Sequence, residues 1–99
     1  WIVSMMDLAG AVEARKVVRH NLVTVAIDNI VFHNPVFVGD CLECYTVLEK
    51  IGRTSVTVKV DVFVQRKDRS HGDLKEKVTE GSFVFVAIGA DRKPVPIAS

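Results

Sequence analysis

Asp7 is the residue whose surroundings most favour chemistry, because the segment around it is otherwise apolar. From Trp1 to Val12 the only other polar side chain is that of Ser4. A buried carboxylate costs several kcal/mol unless it is paired or protonated. Asp7 is therefore either a structural residue, bonded to nearby backbone or to a subunit interface, or a general base or nucleophile in a semi-apolar cleft.

A second candidate is the segment Gly52-Arg53-Thr54-Ser55, in which a cation is followed by two hydroxyl groups. Glycine next to polar residues is typical of a hairpin turn, and turn formation alone explains the composition. A guanidinium beside two hydroxyls can also hold a phosphate through charge-assisted hydrogen bonds. The residues themselves leave both interpretations open.

Asp28, Asn29 and His33 are polar residues in a segment that is rich in β-branched side chains. Asp28 and Asn29 interrupt its apolar pattern, and a β-bulge or an interface explains them better than catalysis does. His33 is followed by Asn34-Pro35, so a histidine that stabilises a turn is favoured over a ligand.

Cys41 and Cys44 have the spacing of a redox motif or half of a zinc motif. Side chains alternate along a strand, so positions three apart point to opposite faces. A zinc site needs two more ligands, and His20, His33 and His71 offer no matching pair. We predict two buried thiols in a reducing cytoplasm and no metal site.

Composition limits the class of protein. The chain has 99 residues, 13 of them basic and 12 acidic, and a formal net charge of +1. This balance gives no electrostatic case for nucleic acid or a membrane surface as partner. No apolar run approaches the roughly 18–20 residues of a membrane span, and no signal peptide is visible. We expect a single domain over residues 1–99 with residues missing upstream, because Trp1 opens directly into an apolar segment.

Hydrophobic periodicity predicts the elements that must position these residues. Helix-forming residues without proline predict a helix over 2–19. Strands are predicted over 22–33, 41–51, 54–66 and 75–89, with a bulge or bend near Asp28. The connections are predicted as a short extended piece at 36–38, a hairpin turn at 52–53, a polar loop at 67–73 and a tail from 90 with a mobile end.

The same periodicity predicts which faces are enclosed. On a helix, Asp7 falls on the side of Val3, Gly10, Ala11 and Val18, so we expect it on the enclosed side. The valines at alternate positions from 56 to 64 line one strand face. One helix followed by a meander of four antiparallel strands predicts an α+β fold, in which a curved sheet wraps around the helix.

Three motifs together resemble the acyl-CoA thioesterases of the YciA and cytosolic acyl-CoA hydrolase type. They are M-D-x-A-G around Asp7, F-H-x-P-V-x-V-G-D over 32–40 and G-R-T-S over 52–55, and the likeness covers essentially all 99 residues. The resemblance implies a hotdog fold and hydrolysis of acyl-CoA to free CoA and a carboxylic acid. It implies no metal or organic cofactor.

The resemblance also implies residue roles. Asp7 matches the family's helix aspartate, which acts as general base or nucleophile. In the family an asparagine from a segment before the helix, on the opposite hotdog, and backbone amides at the helix start complete the site. The remaining substrate-lining positions implied are Thr24, Asp28, His33, Gly52, Arg53, Thr54 and Ser55, the last four near the pantetheine and phosphates of CoA.

The implied assembly is a homodimer whose sheets join edge to edge, with active sites between its two subunits. Three such dimers commonly form a hexamer in this family. A non-catalytic acyl-CoA-binding or regulatory hotdog protein is the alternative. A hotdog dehydratase is less favoured, because it needs a histidine and acid pair in the helix region and His20 lies at the far end.

Overall fold

The fold is an antiparallel sheet with one helix packed on one of its faces. The computed structural model describes residues 1–37, 39–68 and 72–97, and of residues 66–68 and 72–73 it describes the backbone. The elements in chain order are α1 (Ile2–Ala14), β1 (Asn21–Phe32), β2 (Cys41–Ile51), β3 (Ser55–Asp68) and β4 (Gly72–Ile88). The α+β class predicted from the periodicity is confirmed. Within the described residues, no helix is both long and apolar enough to cross a membrane.

The strand order is β1-β4-β3-β2, with every neighbouring pair antiparallel. The predicted meander is therefore wrong for one strand. β2, β3 and β4 follow one another, whereas β1 pairs with β4 and the connection over 33–40 carries the chain to the opposite edge. Each strand offers a comparable apolar face, so the hydrophobic pattern does not specify which strands are neighbours.

The helix ends at Ala14, five residues before the predicted end. Its last turn tightens as the amides of Lys16 and Val17 donate to the carbonyls of Glu13 and Ala14, both at 3.1 Å. Such i→i+3 bonds are common at helix ends. Val18 is buried in the core, so the chain leaves the helix axis to pack this side chain before β1 begins.

The core lies between the helix and the sheet. The valines of β3 at positions 56, 58, 60, 62 and 64 are all fully buried, as their alternation predicts. The helix presents Met6, Gly10 and Ala14 to them, and these residues are buried as well. A Cβ atom on Gly10 would lie 3.2 Å from the ring of Phe85, so the glycine permits the close approach of helix and sheet.

The predicted loop over 67–73 is shorter than expected. β3 continues to Asp68 and β4 already begins at Gly72, while residues 69–71, including His71, lie outside the described residues. At the other connection, residues 36 and 37 form no strand. The amide of Asp40 donates to the carbonyl of Phe37 at 3.0 Å, and Val38, the third residue of the predicted extended piece, lies outside the described residues.

The tail folds back onto the sheet as far as Ile97, and mobility at its end stays a prediction. The amide of Val95 donates to the carbonyl of Ala87, and the amide of Ile97 donates to the carbonyl of Arg53, both at 2.9 Å. Both side chains pack against the core. The last two residues, 98 and 99, lie outside the described residues.

Candidate active site

Asp7 lies at the border of the buried helix stripe. Met6 and Gly10 are buried, whereas Asp7 is half-buried. The prediction that Asp7 falls on the enclosed side is therefore wrong by about 100° around the helix axis, the angle between successive residues. The reason is that the sheet contacts the side centred on Met6, and this leaves Asp7 facing the rim where the helix meets β1.

The carboxylate of Asp7 is held by Thr24 on β1. The hydroxyl of Thr24 donates to Oδ1 of Asp7 at 2.7 Å. Thr24 is opposite Phe85 in the sheet register, and Phe85 is buried in the core, so Thr24 is on the helix-facing side of β1. A carboxylate offers about four acceptor positions, of which this hydrogen bond uses one. The arrangement thus fixes the carboxylate while leaving it able to accept a proton.

An open groove of about 760 Å³ runs between the helix and β1 at this point. Its walls combine one carboxylate with apolar side chains, and Leu8, Val25 and Ile27 in it are 69%, 55% and 42% exposed. The complete lining is Val3, Ser4, Asp7, Leu8, Thr24, Val25, Ala26 and Ile27. Such a mixture suits a ligand that is mainly apolar and has one reactive polar group.

The contribution of Val25 and Ile27 to the groove was not predicted. The register of β1 shifts between Thr24 and Ala26, which is the mark of a β-bulge with Val25 as the extra residue. Strict alternation would place Val25 and Thr24 on opposite faces. A bulge re-aims side chains. The β-branched residues around Val25 predict a strand but do not mark the position of the bulge.

Asp28 lies on the other face of the sheet, whereas His33 follows the end of β1 and lines a separate pocket with Trp1 and Ile2. Asp28 is opposite Ser82, and Ser82 lies between Gly81 and Phe83, which point into the core. Nε2 of His33 is 3.3 Å from Oε1 of Glu80. Within one protomer the structure therefore brings Thr24 to Asp7 but does not bring these two residues there. The predicted bulge near Asp28 is confirmed, because the register shifts between Asp28 and Val31.

The Gly52–Ser55 segment forms the predicted hairpin, in which the amide of Gly52 donates to the carbonyl of Ser55 at 2.7 Å. Arg53 is exposed and Thr54 is half-buried. Thr24, Phe85 and Val56 form one row across the sheet. Neighbouring strands are about 4.8 Å apart, so Val56, the residue that follows the hairpin, lies about 10 Å from Thr24. The hairpin and the Asp7 groove lie toward the same end of the sheet.

The two cysteines point to opposite faces, as alternation predicts: Cys44 is opposite the buried Val62, and Cys41 is opposite the exposed Gln65. The prediction of two buried thiols is wrong, since Cys41 is exposed and Cys44 is half-buried. Burial raises the pKa of the Cys44 thiol. Within the described residues, no three His, Cys, Asp or Glu side chains are grouped as ligands for a metal ion.

Sequence comparison identifies relatives with this combination of fold and motifs. Residues 1–70 match the family model of the thioesterase superfamily. The acyl-CoA thioester hydrolase YciA of Salmonella typhimurium is 35% identical over 97 residues, which are 98% of this chain and 73% of that protein.

Solved structures agree with the sequence comparison. A hexameric hotdog fold thioesterase of Campylobacter jejuni is 39% identical, with a TM-score of 0.89 over 98% of this chain and 73% of its own. A hexameric thioesterase of Yersinia pestis is 33% identical, with a TM-score of 0.90 over 100% of this chain and 79% of its own. The predicted hotdog fold is thereby confirmed.

Proposed function

The chain belongs to the thioesterase superfamily, and from that membership we propose that it hydrolyses an acyl-CoA to free CoA and a carboxylic acid. Relatives at this level of identity are named as acyl-CoA thioester hydrolases. The groove at Asp7 suits this substrate, because a fatty acyl chain is apolar and the thioester is its one reactive group. The observation that carries the proposal is the Asp7 carboxylate, held by Thr24 at 2.7 Å in an apolar groove.

We propose that Asp7 supplies the attacking oxygen in one of two ways. As a general base, it removes a proton from water, and the water oxygen attacks the thioester carbonyl carbon. As a nucleophile, its own oxygen attacks, and water then hydrolyses the resulting anhydride. In both routes the C–S bond breaks and CoA leaves as a thiolate that takes up a proton. Mass spectrometry of the protein quenched during a single turnover separates them, because only the nucleophilic route adds the acyl group to the side chain of Asp7.

We propose that the Gly52–Ser55 hairpin binds the phosphate-bearing part of CoA. The guanidinium of Arg53 is exposed at the end of the sheet nearest the groove, and guanidinium groups bind phosphates well. Val56, which follows the hairpin, lies about 10 Å from Thr24 across two strand spacings. A pantetheine arm could therefore link a phosphate at the hairpin to a thioester at the groove. Asp28 and His33 remain proposed lining residues only for a site that a second protomer completes, because neither of them lines the groove at Asp7.

We further propose that the active site is closed by a second copy of the chain at the β1 edge. β1 is an outermost strand of the sheet and exposes Val23, Val25 and Ile27. An exposed apolar edge strand is a template for pairing with another chain. Pairing there would cover the groove, exclude water from the acyl chain and produce the edge-to-edge dimer. We infer a hexamer as in the two solved relatives, built as a trimer of such dimers.

A cytoplasmic location is part of the proposal. Cys41 and Cys44 are both free thiols, and their side chains point to opposite faces of the sheet. Free cysteines are typical of proteins in a reducing compartment, where disulfides rarely form.

The test replaces Asp7 with asparagine, which keeps the shape of the side chain and removes its basicity. We expect the Asp7→Asn variant to lose about a hundredfold or more of kcat for acyl-CoA hydrolysis, measured by thiol release. Glu13→Gln is the matched control, since Glu13 is also on α1 and also accepts a hydrogen bond from a threonine, Thr46, at 3.0 Å. Unchanged turnover in Asp7→Asn, with the oligomer intact, would contradict the proposed role; binding of acyl-CoA by the unmodified protein without hydrolysis would contradict the activity.

A further inference from the structure

The tail that follows β4 forms a strap across the end of the sheet, where the amides of Val95 and Ile97 each donate a hydrogen bond. Its sequence over 94–97 is Pro-Val-Pro-Ile. Val95 and Ile97 supply amide donors toward the sheet, whereas Pro94 and Pro96 have no amide hydrogen to supply. Prolines also restrict the unfolded chain, so less conformational entropy is lost when the tail docks.

The strap ends on the hairpin proposed to bind phosphate. The amide of Ile97 donates to the carbonyl of Arg53 at 2.9 Å. The amide of Ala87 donates to the carbonyl of Thr54, and the carbonyl of Ala87 in turn accepts from Val95, both at 2.9 Å. The backbone of both central hairpin residues is therefore held from outside the hairpin itself.

The side chains of the strap add to this restraint. Val95 and Ile97 are half-buried and pack against the core, while Arg53 is exposed. The backbone at Arg53 is thus anchored through Ile97 to the hydrophobic core, while the residue itself stays exposed. A preorganised binding group loses less freedom when a ligand arrives, which raises affinity without any new contact to the ligand.

We propose that Ile97 is a positioning residue for substrate binding, which fixes the hairpin at Arg53 in the shape that binds the phosphate-bearing part of CoA. This inference rests on the proposed acyl-CoA hydrolase function and extends it to the tail. Ile97 contacts no reacting atom, so its effect falls on substrate affinity rather than on the chemical step.

The experiment compares Ile97→Pro, which deletes the amide donor, with the unmodified protein. Two substrates carry the same acyl group: an acyl-CoA and the corresponding acyl-pantetheine, which lacks the nucleotide and its phosphates. We expect KM for the acyl-CoA to rise about three- to tenfold, the range of one hydrogen bond, with kcat nearly unchanged. KM for the acyl-pantetheine should stay within about twofold, because this substrate has no phosphate for the hairpin to bind.

Two further variants make the outcome specific. In an Arg53→Ala background, Ile97→Pro should have no additional effect on KM for acyl-CoA, since both changes act through one guanidinium. Where Ile97→Pro does not fold, Ile97→Gly keeps the amide but loosens the tail, and the same selective rise in KM is expected. Equal losses on both substrates, or none on either, would overturn the positioning role. Failure of the unmodified protein to hydrolyse either thioester would instead overturn the proposed function, and the tail proposal with it.

Discussion

The hydroxyl of Thr24 and the carboxylate of Asp7 are joined by a hydrogen bond of 2.7 Å that spans the groove between β1 and the helix. The helix packs chiefly on β2, β3 and β4, so this bond links it to the one strand that it otherwise scarcely contacts. It orients the carboxylate at the point where the groove is lined by exposed apolar side chains. The bond is therefore placed to align Asp7 rather than to hold the core together.

Removal of the Thr24 hydroxyl tests this alignment. Thr24→Val keeps the branched shape of the side chain and deletes the donor, so Asp7 gains rotational freedom. We expect kcat for acyl-CoA to fall about tenfold, which is less than for loss of the carboxylate itself, with KM nearly unchanged. Thr24→Ser keeps the hydroxyl and should retain most of the activity. A Thr24→Val enzyme with full kcat would show that the hydrogen bond is structural only.

Gly10 is expected to set the approach of helix and sheet. A Cβ atom there would lie 3.2 Å from the ring of Phe85, which is buried and stacked on Phe83. Gly10→Val overfills this contact and should lower the free energy of unfolding by about 1–3 kcal/mol. Urea unfolding at one fixed protein concentration measures the change. Val12→Ala, at an exposed position of the same helix, should alter stability by less than about 0.5 kcal/mol; equal effects would contradict the packing argument.

The proposed pairing at the β1 edge predicts a change of assembly. Val25→Lys places a charge on the exposed edge, where natural sheets use lysine to prevent pairing. We expect this variant to shift to a smaller species in size-exclusion chromatography with light scattering, and to lose activity as the groove opens to water. Val47→Lys is the matched control, because Val47 is 56% exposed against 55% for Val25 but lies on β2 at the opposite edge. Full-size assembly of the Val25→Lys variant would place the interface elsewhere.

Glu80 predicts a dependence of stability on acid. The hydrogen bond from Lys77 is the main cause that lowers the Glu80 pKa from 4.5 to about 2, and His33 and Lys59 contribute. A carboxyl whose pKa is lower in the folded state stabilises the fold above its unfolded pKa, and this contribution disappears as the pH falls toward 2. Glu80→Gln should therefore be less stable than the unmodified protein at pH 7, with the two converging near pH 2.

Denaturant unfolding midpoints between neutral pH and pH 2 check this expectation. Lys77→Met removes the main partner and should abolish the same part of the pH dependence. A constant stability difference between Glu80→Gln and the unmodified protein across that range would mean that the partners of Glu80 do not lower its pKa in the folded state.

Local patterns in the sequence determined the type of each element. Alternating valines specify the buried face of β3, since side chains alternate across a strand. Asp28-Asn29 marks the bulge in β1, where Asn29 has a φ of 55°, and asparagine tolerates this left-handed conformation better than most residues. The hairpin at Gly52 follows from turn chemistry of the same local kind. The motif around Asp7 likewise predicts the candidate reactive residue from a local pattern.

Contacts between distant segments were decided by the tertiary structure alone. Thr24 meets Asp7 because β1 pairs with β4 and the helix crosses the other three strands, and no local pattern specifies either choice. The tail reaches Arg53 for a similar reason, since the docking of Val95 and Ile97 depends on a surface made by other strands. Hydrophobic periodicity states which face of an element is buried, but not which element covers it, because burial of apolar area is non-directional.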